Sequence, residues 1–251
     1  MVVFMNNDDL NFLIKSFESL GISLDDNQVN SFYKYYQMLV EKNKVMNLTA
    51  ITDYQDVVIK HFVDSLSCVK LLPEFDVVSA FKCGASVIDV GTGAGFPGIP
   101  LKIVFPEIKL TLLDSLNKRV EFLKDVCTGL NLKDVTFIHA RAEDGAHDKK
   151  LRESFNFCVS RAVANLSTLS EYCLPFVKTH GYFISYKSEK AEQEISDSKK
   201  ALSVLGGSIA VEKKFSLPET DISRTLILIK KDKGTPKTYP RKAGTPLKKP
   251  L

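Results

Sequence analysis

The chain has 251 residues, 44% hydrophobic and 25% charged, with a formal net charge of +4. That composition excludes a disordered, fibrous or membrane-spanning chain and fits one α/β domain with an appendage, or two small domains. The start, MVVFMNNDDL, lacks the basic and long apolar regions of a signal peptide, and the five cysteines, Cys68, Cys83, Cys127, Cys158 and Cys173, include no CxxC, so a cytoplasmic, reduced protein without metal or membrane attachment is expected.

Residues 7–20 carry Leu10, Leu13, Ile14, Phe17 and Leu20 at helical spacing, closed by Gly21. Residues 25–43 repeat the pattern with Val29, Phe32, Tyr33, Tyr36, Leu39 and Val40, and Asp25 with Gln28 reads as a capping pair. Residues 1–72 are thus expected to form a helical segment whose aromatic stripe packs on the core. From residue 86 the rhythm changes. SVIDV reads as a strand, followed by a glycine-rich loop and a helix from Pro97 to about Phe105. KLTLLD, VTFIHA, FNFCVSRA and GYFISYK read as further strands. The helices between them are NKRVEFLKDVCTGL, LSTLSEYCLPFV and a charged stretch from about Ser188 to Leu205.

SIAVEKKFSL and SRTLILIKK are separated only by PETDI, a link that permits an antiparallel hairpin and forbids a parallel crossover. Alternating strands and helices mean a parallel sheet covered on both faces. Residues 73–231 are therefore expected to form a Rossmann-like α/β domain, its mostly parallel seven-stranded sheet ending in an antiparallel edge hairpin. From Lys230 to Leu251 there are eight basic residues and one acid, Asp232. The positive excess of the chain sits in this tail, residues 232–251, which reads as a phosphate-contacting arm or a solubilising extension.

The stretch DVGTGAGFPG brings backbone close to something, and two registers compete. GAGFPG satisfies the dinucleotide fingerprint GxGxxG, as in an NAD(P)-dependent oxidoreductase. Read from Asp89, an acid precedes Gly91, Gly93 and Gly95. In both, Asp114 ends the next strand, placed to accept from ribose hydroxyls. An acid before the loop would repel a pyrophosphate and welcome a cationic amino-acid group. No GK[ST] follows, and the closing hairpin departs from the all-parallel sheet usual for dinucleotide domains. S-adenosylmethionine meets these demands better.

Seven stretches, VMNLTAI, KHFVDSLSCVKLL, VIDVGTGAGFPGIPLKI, LLDSLNKRVEFL, HARAED, VSRAVANL and TYPRKAGTPLKKPL, occur in this order, and the chain resembles the bacterial RsmG (GidB) methyltransferases through them. The likeness runs from about Asn43 to Leu251; Ser188, in YKS, stands where the family pattern has glycine. The resemblance implies a class I methyltransferase fold and transfer of a methyl group from S-adenosylmethionine to N7 of a guanosine in 16S ribosomal RNA. The partner would be that RNA or the small ribosomal subunit, and the protein a monomer.

By the same resemblance, Gly91 and Phe96 border the cofactor, Asp114 holds the ribose, Ala142 and Glu143 flank the adenine, and Arg161 completes the contacts, with Asp89, Gly93 and Gly95 shaping the loop. A salt bridge from Arg161 to Glu143 or Asp144 is the alternative for that arginine. Guanine N7 carries a lone pair and no proton, so no general base or nucleophile is nominated. Positioning candidates on the RNA side are Asn47, His61, Asp64, Ser65 and Arg161, with Arg241 and Lys242 in the tail. Deleting residues 235–251 is expected to weaken RNA binding and leave cofactor affinity intact. A non-catalytic, cofactor-sensing ribosome-assembly factor is the other alternative.

Overall fold

In the computed structural model, which describes residues 6–161, 164–188 and 191–251, the N-terminal segment folds by local rules. Asn6 caps α1 (Asn7–Glu18) by accepting from the Asp9 amide, and Asp25 with Gln28 forms a capping box at α2 (Asp26–Met46). That helix outlasts its expected end and stops at Asn47, whose φ of 49° is left-handed, a conformation asparagine tolerates well. A continuous helical run follows: α3 (Tyr54–Val57), a π turn (Val58–Val63), α4 (Asp64–Leu66) and a 3-10 turn (Ser67–Leu71). After it comes α5 (Val77–Lys82).

The sheet is built from β1 (Ser86–Val90), β2 (Lys109–Asp114), β3 (Val135–His139), β4 (Phe155–Arg161), β5 (Val177–Ser188), β6 (Gly207–Ser216) and β7 (Ser223–Lys231). Between them lie α6 (Gly98–Val104), α7 (Asn117–Gly129), α8 (Ala142–Gly145), α9 (Leu166–Cys173) and α10 (Ala191–Leu205), and α11 (Thr245–Lys248) closes the chain. The strand order is β3-β2-β1-β4-β5-β7-β6. β1 to β5 pair in parallel, and β7 runs antiparallel to both β5 and β6. The seven-stranded sheet with its hairpin is thus as expected, with β7 threaded between β5 and β6. The order reverses between β1 and β4, the crevice where open α/β sheets bind ligands.

Three boundaries differ. The helix after the glycine loop starts at Gly98 with Pro97 as its cap. α9 ends at Cys173 because Pro175 has no N–H to continue the ladder, and a 3-10 turn (Leu174–Phe176) leads into β5 ahead of its expected start at Gly181. Residues 189–190, expected to open the charged helix, and 162–163, in the VSRAVANL stretch, lie outside the described residues.

One apolar cluster joins Phe17, Phe32 and Tyr35 to Ile99, Leu112 and Val159; the other gathers Ile88, Leu113, Leu169 and Ile229 on the opposite face of the sheet. Tyr35, Phe17, Phe32 and Phe62 are fully buried, each contributing about 1.5–3 kcal/mol by leaving water. The N-terminal helices therefore form one face of the core.

The tail is folded rather than extended. Arg152 donates to the Thr235, Pro236 and Tyr239 carbonyls, and Lys231, wholly buried, donates to Leu174 O and the Thr235 hydroxyl. Among the described residues no helix is long and apolar enough to cross a membrane.

Candidate active site

The glycine loop turns at the end of β1. Gly91, Gly93 and Gly95 have φ of 71°, 62° and 105°, conformations that exclude most side chains. The Gly91 amide donates to Leu113 O (2.9 Å), and the Gly93 amide to Asp114 Oδ2 (2.9 Å). The glycines serve different ends. A Cβ at Gly93 would meet nothing within 4 Å, so its face is open. A Cβ at Gly95 would lie 2.5 Å from the Tyr35 hydroxyl and 2.6 Å from Ile99 Cδ1, and one at Gly98 would lie 2.6 Å from Leu112 Cδ2. Gly95, assigned to the cofactor from the sequence, is thus small to admit the protein's own side chains. Gly98, absent from that assignment, lets α6 close on the sheet.

Asp89 is fully buried and turned into the loop. Its Oδ2 accepts from the Thr92 hydroxyl (2.7 Å) and the Gly98 amide (2.8 Å), satisfying one of the free N–H groups at the start of α6. Oδ1 has no hydrogen-bond partner among the described residues. Burial pushes the carboxyl up to about 7, against the bonds from Thr92 and Gly98 that lower it. Asp89 braces the loop from behind. Asp114, 2% exposed, holds the Gly93 and Leu116 amides, with Arg119 Nη1 3.4 Å away. Leu116, just beyond it, is 42% exposed at the end of β2.

Opposite the loop stands a layered stack. His61, from the π turn, lies on the Phe96 ring (4.6 Å between centroids, 16° between planes), Tyr35 packs against the same ring at 5.4 Å, and the Arg161 guanidinium sits 5.2 Å from its centroid. Phe96 is consequently 7% exposed. Arg161, at the end of β4, donates through Nη1 to Lys60 O (3.1 Å) and Asp64 Oδ2 (3.0 Å), and through Nη2 to His61 Nδ1 (3.2 Å). Its acidic partner is Asp64, not Glu143 or Asp144. The second Asp64 oxygen accepts from Arg224 Nε (3.1 Å), on β7. Burial and the neighbouring Arg161 charge lower His61 to about 3, so the ring is neutral. With Nδ1 accepting from Arg161, Nε2 carries the proton and donates to the Thr49 hydroxyl (2.9 Å).

His61 and Arg161, with Asp64, wall a cavity of about 590 Å³, completed by Lys60, Tyr186, Lys187 and Arg224, within the size range of ligand sites. Lys187 pairs with Glu194 (2.7 Å) and is nearly buried. Thr49, Lys187 and Arg224 were missed in the sequence. The VMNLTAI stretch holds Thr49, but nothing in the order of residues shows that β7 ends beside Asp64.

The other candidates scatter. Asn47 caps α2 and is exposed. Ser65 donates to His61 O (2.5 Å) within its own helix. Ala142 and Glu143 open α8 after β3, and the Glu143 side chain accepts from the Gly244 amide (2.8 Å). Arg241 grips the fully buried Glu171, Nη2 to Oε2 at 2.7 Å and Nε to Oε1 at 3.0 Å, which engages its charge with the protein. Lys242 is exposed. Among the described residues no cluster of three or more His, Cys, Asp or Glu could hold a metal, and all five cysteines are free thiols.

The family model described as rRNA small subunit methyltransferase G matches residues 28–222. The chain is 52% identical over 234 residues to Ribosomal RNA small subunit methyltransferase G of Alkaliphilus metalliredigens, covering 93% of this chain and 95% of that one. It is 50% identical over 243 residues to the protein of the same name from Lachnoclostridium phytofermentans, covering 97% and 98%. Among solved structures, a mutant of MtNAS in complex with S-adenosylmethionine shares the fold, with a TM-score of 0.53 at 16% identity, covering 90% of this chain and 79% of that one.

Proposed function

Because the chain belongs to the rRNA small subunit methyltransferase G family, we propose that it transfers a methyl group from S-adenosylmethionine to N7 of a guanosine in 16S ribosomal RNA, working as a cytoplasmic monomer. The observation that carries the reading is the pairing of an open glycine loop at the β1/β4 crevice with a cavity large enough for a nucleobase, joined through His61, which lines the cavity and stacks on Phe96 of the loop. The residues fit the donor. Gly93 leaves room for a ligand to approach the backbone, Asp114 offers carboxylate oxygens beside that opening, and exposed Leu116 offers an apolar surface to an adenine. S-adenosylmethionine supplies the electrophilic methyl group.

The chain's own task is positioning. N7 has an in-plane lone pair and no proton to lose, so the acceptor side requires no base, and His61 has neither a free lone pair nor a free proton to offer. Its neutrality matters for a different reason. Alkylation leaves the purine ring cationic, and a protonated imidazole beside it would repel the developing charge. Arg161 and Arg224 are held in place by Asp64, which offsets part of their charge. Alignment of N7 with the methyl group and exclusion of water then supply the rate. Reaching N7 in folded RNA requires a splayed-out base, which the cavity has the volume to hold. Arg161 lines the cavity and lies against the ring of Phe96, a residue of the glycine loop.

Exposed Lys242, Lys248 and Lys249 reach phosphate on the RNA side, whereas Arg241 serves Glu171. The test is transfer of labelled methyl to small-subunit RNA from cells lacking the modification, with the position read by borohydride–aniline cleavage, which is selective for 7-methylguanosine. Cleavage at one guanosine is expected. Label at another atom refutes the N7 assignment, and cofactor and RNA binding without transfer favours a cofactor-sensing assembly factor. Tight NADH binding without S-adenosylmethionine binding favours an oxidoreductase.

A further inference from the structure

The basic tail does more than carry charge. Its folded portion is tied at several points to one short element, α8 and the turn after it. The Gly244 amide donates to Glu143 Oε1 at 2.8 Å, His147 Nε2 donates to Pro240 O at 2.9 Å, and Arg152 Nη1 donates both to Ala146 O (3.1 Å) and to Tyr239 O (2.9 Å). The tail itself is anchored from below by Arg241, which meets Glu171 through its backbone amide (2.7 Å) and its guanidinium. Glu171 is wholly buried and Glu143 is 6% exposed. A buried carboxylate stripped of its donor is costly, so these contacts resist opening.

α8 spans only Ala142–Gly145 and has no side-chain cap of its own at Arg141. An isolated helical turn of this length has little intrinsic stability. Its position is therefore set by what it packs against, and on its outer side that is the tail. We propose that residues 240–246 are a brace that fixes the α8 turn and, through it, the adenine end of the cofactor site. This rests on the proposed function and on the assignment of Ala142 and Glu143 to the adenine that the family resemblance implies. Glu143 and Arg241 are positioning residues: one joins the turn to the brace, the other joins the brace to the body. Removing the tail then weakens cofactor binding, contrary to the expectation from sequence that it would affect RNA alone.

Calorimetry with S-adenosylhomocysteine, in the absence of RNA, reads the effect directly. A chain ending at Ala243 keeps Arg241 and Glu171 but loses the Gly244 donor. It should bind about tenfold more weakly, as should Glu143→Ala, the fold-change expected when one partner of a buried hydrogen bond is left unpaired, the Glu143 acceptor in the first case and the Gly244 N–H in the second. Glu143→Gln keeps an acceptor oxygen and should restore affinity. In steady-state assays Glu143→Ala should raise KM for S-adenosylmethionine with kcat unchanged. The double variant Lys248→Ala, Lys249→Ala, which lowers tail charge without touching the brace, should leave the calorimetric affinity unchanged.

Affinity within twofold of the full chain after truncation at Ala243 overturns the proposal, as does equal weakening by Glu143→Gln. Amide hydrogen exchange across residues 142–147 of the ligand-free protein distinguishes the two ways of failing. Unchanged exchange in the truncated chain refutes the brace itself. Faster exchange, with a full-length chain that does not bind S-adenosylhomocysteine, supports the brace and refutes the cofactor reading.

Discussion

Replacing Asp89 by asparagine should stabilise the protein more as pH rises, although Asp89 belongs to the loop's signature. The carboxyl is fully buried, and burial raises it from the ordinary 3.8 to about 7. The folded state thus holds a proton that the unfolded state has released. Stability from this group is complete below about pH 4 and is lost as pH rises through 7. At 1.36 kcal/mol per pH unit, and with proton uptake nearly one per molecule from pH 5 to almost pH 7, the loss between pH 5 and pH 8 is about 2–3 kcal/mol. Asparagine keeps an oxygen for Thr92 and Gly98 and leaves one buried N–H pair unpaired, a cost that does not vary with pH. The observable is therefore the change with pH in the difference between the two proteins, in which His61 and all other titrating groups cancel. Urea unfolding at pH 5 and pH 8 measures it. The variant should gain about 2–3 kcal/mol on the wild type across that interval. A difference that stays constant to within about 0.5 kcal/mol would mean that Asp89 ionises near its ordinary value and that its burial carries no such penalty.

Gly93→Val should weaken S-adenosylhomocysteine binding by about tenfold or more, because its side chain enters the open space beside the loop. The positive φ of 62° adds about 1–2 kcal/mol of strain, so calorimetric affinity and melting temperature should both fall; normal affinity in a folded variant refutes the cradle. Asp64→Ala leaves two arginines, whose side chains are 13% and 22% exposed, without their buried anion. Loss of such a partner costs about 3–5 kcal/mol, a fall in Tm of about 6–20 °C at this chain length, and a drop under about 2 °C by scanning calorimetry contradicts the network. His61, held near 3, should add no inflection to kcat/KM between pH 5.5 and pH 8. A limb near 6.5 that disappears in His61→Asn would show that it titrates there.

The sheet could be read from the sequence because each strand and helix declares its period locally, and the PETDI link left β6 and β7 no alternative to a hairpin. The same locality explains the misses. Gly91, Gly93 and Gly95 look alike in the sequence, yet Gly95 packs against Tyr35 and Ile99, and Gly98, absent from the assignment, against Leu112, contacts that only the assembled core creates. The carboxylates weighed as alternative partners for Arg161 were Glu143 and Asp144, whereas the fold supplies Asp64, almost a hundred residues away, and shares it with Arg224. The tail was read from its charge, but Arg241 is held by Glu171, which sits inside an otherwise ordinary amphipathic helix. Long-range polar pairings leave no periodic trace.

Those pairings also decide where the site's parts can come from. His61 and Asp64 belong to the N-terminal segment, Asp89 to β1, Phe96 to the loop after it, Arg161 to β4, and Arg224 to β7. Neither side is complete without the other: His61 is fixed by Phe96 and Arg161, and Arg161 spends its terminal nitrogens on the segment that carries His61. The Gly95 turn is closed by Tyr35 of α2, whose hydroxyl donates to Ala94 O at 2.5 Å. A helical segment that shaped only the acceptor cavity could be exchanged without disturbing the loop. This one reaches through Tyr35 into the loop itself, so the geometry of the donor cradle and that of the acceptor cavity are set by the same core, and a change in α2 packing should be felt on both sides of Phe96.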